Sequence, residues 1–177
     1  MRTTERLLLR PYREEDQPAF AAMNADPEVM KYLGGEPLTR EQSDAITEGA
    51  NHRFVADGIG FLAIERRSDG AFLGACGLMR HDAWYPDDLE VGWRLAREYW
   101  GHGYATEAAN SWLAHAFLDR SEPRVISITD TPNLNSIAVM KRLGMTFDHE
   151  TELVEDNTPF DATVYSITPE AWSAHRA

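Results

Sequence analysis

The sequence predicts a mixed α/β protein with a mostly antiparallel central sheet flanked by helices. Two observations carry that reading. From about Gly60 to Leu95 the apolar residues alternate with the period of a strand, in three runs broken by polar turns. Before and after those runs lie amphipathic segments with helix start and stop signals, so the polarity pattern switches repeatedly along the chain.

The elements follow in order. Thr3 to Arg10 reads as an edge or near-edge strand ending at Pro11. Glu14 to Asn24 reads as a helix with Phe20 and Met23 on its buried face. Asp26-Pro27-Glu28 starts a short helix, with Asp as cap and Pro in the first turn, carrying Val29, Met30 and Leu33 before the break at Gly34-Gly35. Thr39 opens another helix with Gln42 three residues on, a capping box, and it runs to about Asp57 with Ile46, Ala50 and Phe54 on one side. Gly60 to Arg66, Ala71 to Arg80 and Asp88 to Leu95 are three strands. Ser68-Asp69-Gly70 turns between the first two, and a loop from His81 to Asp87 separates the second and third. Gly103 to Leu118 is a helix, with Ala105, Ala108, Ala109, Trp112, Leu113 and Phe117 clustered by spacing. Arg124 to Thr129 is a short strand, and Asn133 or Asn135 begins a helix that stops at Gly144. Thr146 to Val154 and Asp161 to Ile167 are late strands, and Thr168-Pro169-Glu170 starts a final helix.

Bulk properties narrow the class. A chain of 177 residues without a linker or repeat reads as one domain over residues 1–177. It is long enough to bury roughly 70% of its unfolded surface without a metal or disulfide staple. No run of 18 apolar residues exists, the start carries no signal-peptide pattern, and Cys76 is the only cysteine. A cytoplasmic protein without membrane contact is the expectation. The net charge of −12 counts against nucleic acid, which needs a basic footprint. It either favours a basic, amine-bearing acceptor or only aids solubility. His52, His102, His115 and His149 show no ligand spacing with Cys76 or with acidic residues that resembles a zinc site, so no metal is expected. The oligomeric state stays open, a homodimer included.

The run Glu98-Tyr99-Trp100-Gly101-His102-Gly103-Tyr104-Ala105-Thr106-Glu107 carries the most chemistry. Two glycines one residue apart, where a strand passes into a helix, suggest a tight turn with outward-facing backbone N–H groups. With the positive end of the helix they make a cradle for phosphate. Its mid-chain place and glycine spacing argue against a dinucleotide fold.

Three segments together resemble the GNAT N-acetyltransferase superfamily, and within it the branch of ribosomal-protein N-terminal acetyltransferases. They are Arg6-Leu7-Leu8-Leu9-Arg10-Pro11, then Glu90-Val91-Gly92-Trp93-Arg94-Leu95 with the glycine loop that follows, and Asn133 through Met145. The resemblance spans residues 3 to about 168. It implies a GNAT-like acyl-CoA-binding fold, acetyl-CoA as cofactor, and an acyltransferase that moves an acetyl group to an amine by direct attack on the thioester. It also implies that Leu95, Tyr99, Trp100, Gly101, His102, Gly103, Tyr104 and Ala105 hold the cofactor. Glu98 stands where the family usually has Arg or Gln, a departure that bears on affinity. Asn133 corresponds to an asparagine that bonds the pantetheine arm, although an ordinary helix cap explains it equally. Ser136 falls near the cofactor thiol in this branch and would assist thiolate departure, or else it is another helix-start residue. Many members carry a tyrosine as general acid where this chain has Met140, and a thioether has no proton to give. A backbone N–H near a bulge around Gly92 to Leu95 is implied as the donor to the thioester carbonyl.

Acetyl transfer needs a neutral amine, so a base or a water path must take a proton. Glu90, in the strand before the loop, is the leading candidate, with a salt-bridged strand carboxylate as the bland alternative. Alternation puts Glu90, Gly92 and Arg94 on one strand face and Val91, Trp93 and Leu95 on the other. Cys76 has no adjacent His/Asp pair and reads as a small core residue rather than a nucleophile. Acceptor-site candidates are Met30, Tyr32, Leu33, His81, Trp84, Tyr85 and Phe160, each of which could equally be a core anchor. The acceptor is a small amine or a protein N-terminus. The other class of reading is a noncatalytic acyl-CoA-binding or sensor module.

Overall fold

A computed structural model describes residues 1–81, 83–155 and 157–176. The chain opens with β1 (Arg2–Thr3) and β2 (Leu7–Arg10), an antiparallel pair rather than the single strand expected. The turn between them is imposed from far along the chain. Thr4 Oγ1 and the Arg6 backbone N–H both donate to Glu107 Oε1, at 2.5 and 2.8 Å, while Leu7 N donates to Thr4 Oγ1.

A 3-10 turn (Glu14–Asp16) leads into α1 (Gln17–Asn24), which buries Phe20 and Met23 as expected, and also Asn24. In α2 (Pro27–Met30) the Asp26 carboxylate caps by accepting from Glu28 N. The Thr39/Gln42 capping box opens α3 (Arg40–Asp57), and Gly58 at φ +70° closes it. Its buried face is corrected: Ser43, Thr47 and Ala50 are inside, while Ile46 is 41% exposed. Small residues on that face let α3 pack closely on α1.

The meander is β3 (Phe61–Arg66), β4 (Phe72–His81) and β5 (Tyr85–Leu95). The expected loop from His81 to Asp87 is shorter than read, because Tyr85 already pairs with His81 across the sheet. Side chains hold that extension. Trp84 stacks on His81 with ring centroids 4.6 Å apart, and Tyr85 Oη meets His149 Nε2 at 2.8 Å. After β5 comes α4 (Tyr104–Ala114), which continues as a π-helical turn to Asp119. Then follow β6 (Val125–Asp130), α5 (Leu134–Arg142), β7 (Thr146–Glu155), β8 (Thr158–Ile167) and α6 (Pro169–Arg176).

The eight strands form one sheet in the order β1-β2-β3-β4-β5-β6-β8-β7. Every neighbouring pair is antiparallel except β5 and β6. That parallel pair meets only at Leu89/Val125 and Glu90/Ile126. Beyond it the two strands part and leave a wedge in the middle of the sheet.

Each face has its own core, as strand alternation requires. On one face Leu62, Ile64, Cys76, Leu78, Leu89 and Val91 pack under Ala108, Trp112 and Leu113 of α4, Met140 of α5 and Trp172 of α6. On the other, Ala63 and Ala75 pack with Tyr12, Phe20, Met23, Val29 and Ala50 beneath α1, α2 and α3. Val91, Trp93 and Leu95 belong to the first face, as the alternation predicts. Cys76 is fully buried there, its thiol pushed up by burial, which suits a packing residue and not a nucleophile. No described helix is long and apolar enough to cross a membrane.

Candidate active site

A groove of about 1290 Å³ runs through the wedge and connects the first turn of α4 to the face covered by α1, α2 and α3. At one end, Gly101 and Gly103 adopt φ of +77° and +79°, a conformation that glycine takes without strain. Gly103 is the residue before α4, and no side chain caps that helix. Among the described residues no protein acceptor takes the backbone N–H groups from Gly101 to Thr106. They form a row of donors at a positive helix end, and a Cβ at Gly101 would meet only open space. This end fits the phosphates of an acyl-CoA.

The loop is braced from outside the groove. Arg6 donates from Nη1 to His102 O at 3.0 Å, lies over the Tyr104 ring at 4.6 Å, and pairs through Nε with Glu107 Oε2 at 2.6 Å. Trp100 Nε1 donates to Leu95 O at 2.8 Å. Leu95, Tyr99, Trp100, Gly101, Gly103, Tyr104 and Ala105 line the groove, whereas His102 does not. Glu98 is exposed and also lies outside the lining, so its carboxylate does not oppose phosphate binding there. Gly103→Val forces a β-branched residue into a left-handed conformation at about 1–3 kcal/mol. We expect the folded variant to bind coenzyme A at least ~10-fold more weakly by calorimetry; unchanged affinity would remove this loop from the binding site.

In the middle of the groove, the expected bulge around Gly92 to Leu95 is absent. Pairing of β4 with β5 is regular from Gly74/Leu95 to Arg80/Leu89, and its irregularity falls at Arg80/His81. The parting of β5 from β6 is what opens the β5 backbone on that side. Across the wedge Asn133, not Asn135, caps α5, its Oδ1 accepting from Ser136 N at 3.2 Å. Its Nδ2 donates to Thr129 Oγ1 at 2.9 Å and to Ser136 Oγ at 3.1 Å, so both amide protons are engaged within the protein. Ser136 Oγ is thereby an acceptor on one side, which turns its own proton elsewhere, and the residue lines the groove.

Glu90 is buried, 9% exposed, and lines the groove beside the wedge. Its Oε2 meets His81 Nε2, and its Oε1 faces the Ile128 backbone N–H at 3.4 Å. The carboxylate thus bridges β4 and β6 across β5. Trp84 stacks on His81, and Phe160 of β8 packs edge-on against Trp84 at 5.9 Å. Tyr32, Leu33, His81, Trp84 and Phe160 all line this end. Met30 and Tyr85 do not: Met30 is 2% exposed in the interior, and Tyr85 is engaged with His149.

One residue escaped the sequence reading. Arg94 lies four residues beyond Glu90 and lines the same groove. Its Nη1 donates to Asn24 Oδ1 at 2.7 Å, and Asn24 Nδ2 donates to Ser43 Oγ at 3.1 Å. Burial lowers the guanidinium's pKa, partly offset by Tyr12 and Glu155. The polar Asn24 in the last turn of α1 was the available signal.

Comparison with known proteins agrees with this architecture. The Acetyltransferase (GNAT) domain matches residues 6–146. The chain belongs to that family. It is 31% identical over 143 residues to the uncharacterized protein YkkB of Bacillus subtilis, covering 80% of this chain and 83% of that protein. It is 31% identical over 182 residues to the FsC-acetyl coenzyme A-N(2)-transacetylase of Aspergillus fumigatus, covering 96% and 76%. Among solved structures, an acetyltransferase from Agrobacterium tumefaciens superposes with a TM-score of 0.77 at 30% identity, over 93% of this chain and 92% of that one.

Proposed function

We propose that this protein transfers the acetyl group of acetyl-CoA to a primary amine, on a small molecule or a protein N-terminus. The observation that carries the reading is one groove with unpaired backbone N–H donors at one end and the Glu90–His81 pair at the other, with Ser136 across the wedge between them. The name of the fungal relative, an acetyl-coenzyme A transacetylase acting at nitrogen, points the same way. The resemblance to ribosomal-protein N-terminal acetyltransferases keeps a protein N-terminus among the acceptors.

When bound, acetyl-CoA supplies the activated acyl group. The N–H groups from Gly101 to Thr106 would hold its phosphates, at the end of the groove that Tyr99 and Trp100 also line. A Glu90 carboxylate oxygen takes the proton that an ammonium must lose before its nitrogen can attack, directly or through a water. Trp84 and Phe160 give that end of the groove an apolar aromatic wall for the acceptor. Ser136 Oγ, oriented by Asn133, would donate a hydrogen bond to the leaving thiolate.

A panel of primary amines incubated with acetyl-CoA, read by thiol release and by the mass of the acetylated product, tests the function. Coenzyme A binding without turnover on any amine would favour the noncatalytic reading. Ser136→Ala is expected to slow single-turnover acetyl transfer by roughly 2- to 10-fold, the worth of one neutral hydrogen bond. No change would show that the thiolate departs without help from this hydroxyl.

A further inference from the structure

We infer that the acceptor is a small amine that also carries a carboxylate, and that Arg94 receives that carboxylate. The inference rests on the acetyl-transfer reading and narrows its substrate class.

Arg94 is a half-buried cation with little to hold it. Among the described residues, the hydrogen bond its guanidinium makes goes to the neutral amide of Asn24. Among the described residues no carboxylate lies within ion-pair distance of it; Glu155 acts only at longer range. Arg10 shows what a buried guanidinium ordinarily receives, with Asp16 at 2.6 Å and Glu65 at 2.7 Å. A guanidinium offers five N–H donors in a rigid fork, and holding one away from water without a counter-charge is costly. The fold nevertheless supports it. Asn24 and Ser43 are both fully buried, and they form a polar chain whose far end is the Arg94 bond. That chain fixes one edge of the fork, while the residue lines the groove. A planar fork of this kind matches a carboxylate through two parallel hydrogen bonds.

Placement ties this cation to the chemistry. Glu90, Gly92 and Arg94 share one face of β5, so the base and the cation stand about 13 Å apart at their Cα atoms by strand rise. The residue between them, Gly92, adds no side chain of its own, and the edge of the Phe61 ring fills the space where its Cβ would be and forms an apolar floor between base and cation. A zwitterionic acceptor spans such a floor in one orientation, ammonium toward Glu90 and carboxylate toward Arg94. A dianionic phosphate would bring excess charge near Glu90 and Glu155. The terminal carboxylate of an ordinary peptide lies too far from its α-amine to use both ends. The chain's net charge of −12 attracts ammonium groups in general, so selecting a carboxylate requires a local cation such as this one.

The test compares acceptors in matched pairs, each amino acid against its own carboxamide, over a series of chain lengths. Lengthening the chain fades the effect of the carboxylate on amine basicity and isolates its recognition. For the wild-type protein, kcat/KM is expected to favour the carboxylate member at the best length on the order of 10- to 100-fold, the worth of a charge-assisted contact. Arg94→Gln should bring that ratio close to one, and Arg94→Lys should restore part of it, since it keeps the charge but loses the fork. General damage to packing lowers both members of a pair and leaves the ratio alone. Calorimetric titration of the preferred amino acid into protein saturated with coenzyme A should show the same loss in the Gln variant. Acetylation of amines with no carboxylate preference would overturn the inference and leave acetyl transfer standing. A preference that survives in Arg94→Gln would overturn the assignment to Arg94. Acetylation of no amine at all would overturn both readings.

Discussion

Glu90→Gln is expected to lower kcat/KM for the amine by about 100- to 10,000-fold at neutral pH, the usual contribution of a general base. Glutamine preserves the size of the side chain, and its amide can still meet His81 and the Ile128 N–H, so the groove keeps its shape. What is lost is the carboxylate that takes the proton. The deficit should shrink as pH rises, because the amine then arrives already neutral and needs less help. Coenzyme A affinity, measured separately by calorimetry, distinguishes lost chemistry from a collapsed site. The decisive comparison is the pH profile of kcat/KM for wild type and variant. Superimposable profiles would reject Glu90 as the base and move that role to a water chain or another groove residue.

Local rules carried much of the fold. The Thr39/Gln42 box, the Asp26-Pro27 start, and the Gly144 stop at φ +81° each depend on a few neighbouring residues, and each stands as read. Elements governed from afar were misjudged. The strand expected from Thr3 to Arg10 breaks because Glu107, a hundred residues on, binds its turn. β5 starts early where Tyr85 finds His149 on β7. The site divides the same way. A left-handed glycine pair before a helix is a local demand, so Gly101 and Gly103 were visible in the sequence. Met30 was not separable from a pocket wall, because a short apolar helix looks alike whichever way it faces. Arg94 shared a legible strand face with Glu90. Its lack of a counter-charge depends on which side chains surround it, and strand alternation carries no information on that.

Asp16→Asn is expected to destabilise the fold by about 3–5 kcal/mol, the cost of breaking one partner out of a buried ion pair. Asp16 and Arg10 are only 4% and 3% exposed at their side chains. They meet through two parallel bonds, Nη1 to Oδ2 at 2.6 Å and Nη2 to Oδ1 at 2.8 Å, and Arg13 N donates to Oδ2 at 2.7 Å. Burial alone would raise the Asp16 carboxyl, but the Arg10 guanidinium and the Arg13 N–H outweigh it and hold the carboxyl below its usual range. A depressed carboxyl stabilises the folded state fully above its unfolded value of about 3.9. That contribution is lost as pH falls through the lower folded value. Urea unfolding should therefore show a constant gap between wild type and Asp16→Asn from neutral pH down to about pH 4, narrowing at more acid pH as the wild-type carboxyl takes up its proton. The asparagine variant has no such group to titrate. A gap under about 1 kcal/mol at neutral pH, the range of an exposed pair, would mean that this pair does not anchor the entry to α1. Since α1 ends at Asn24, which holds Arg94, a variant that survives folding should also lose acceptor affinity before it loses coenzyme A binding.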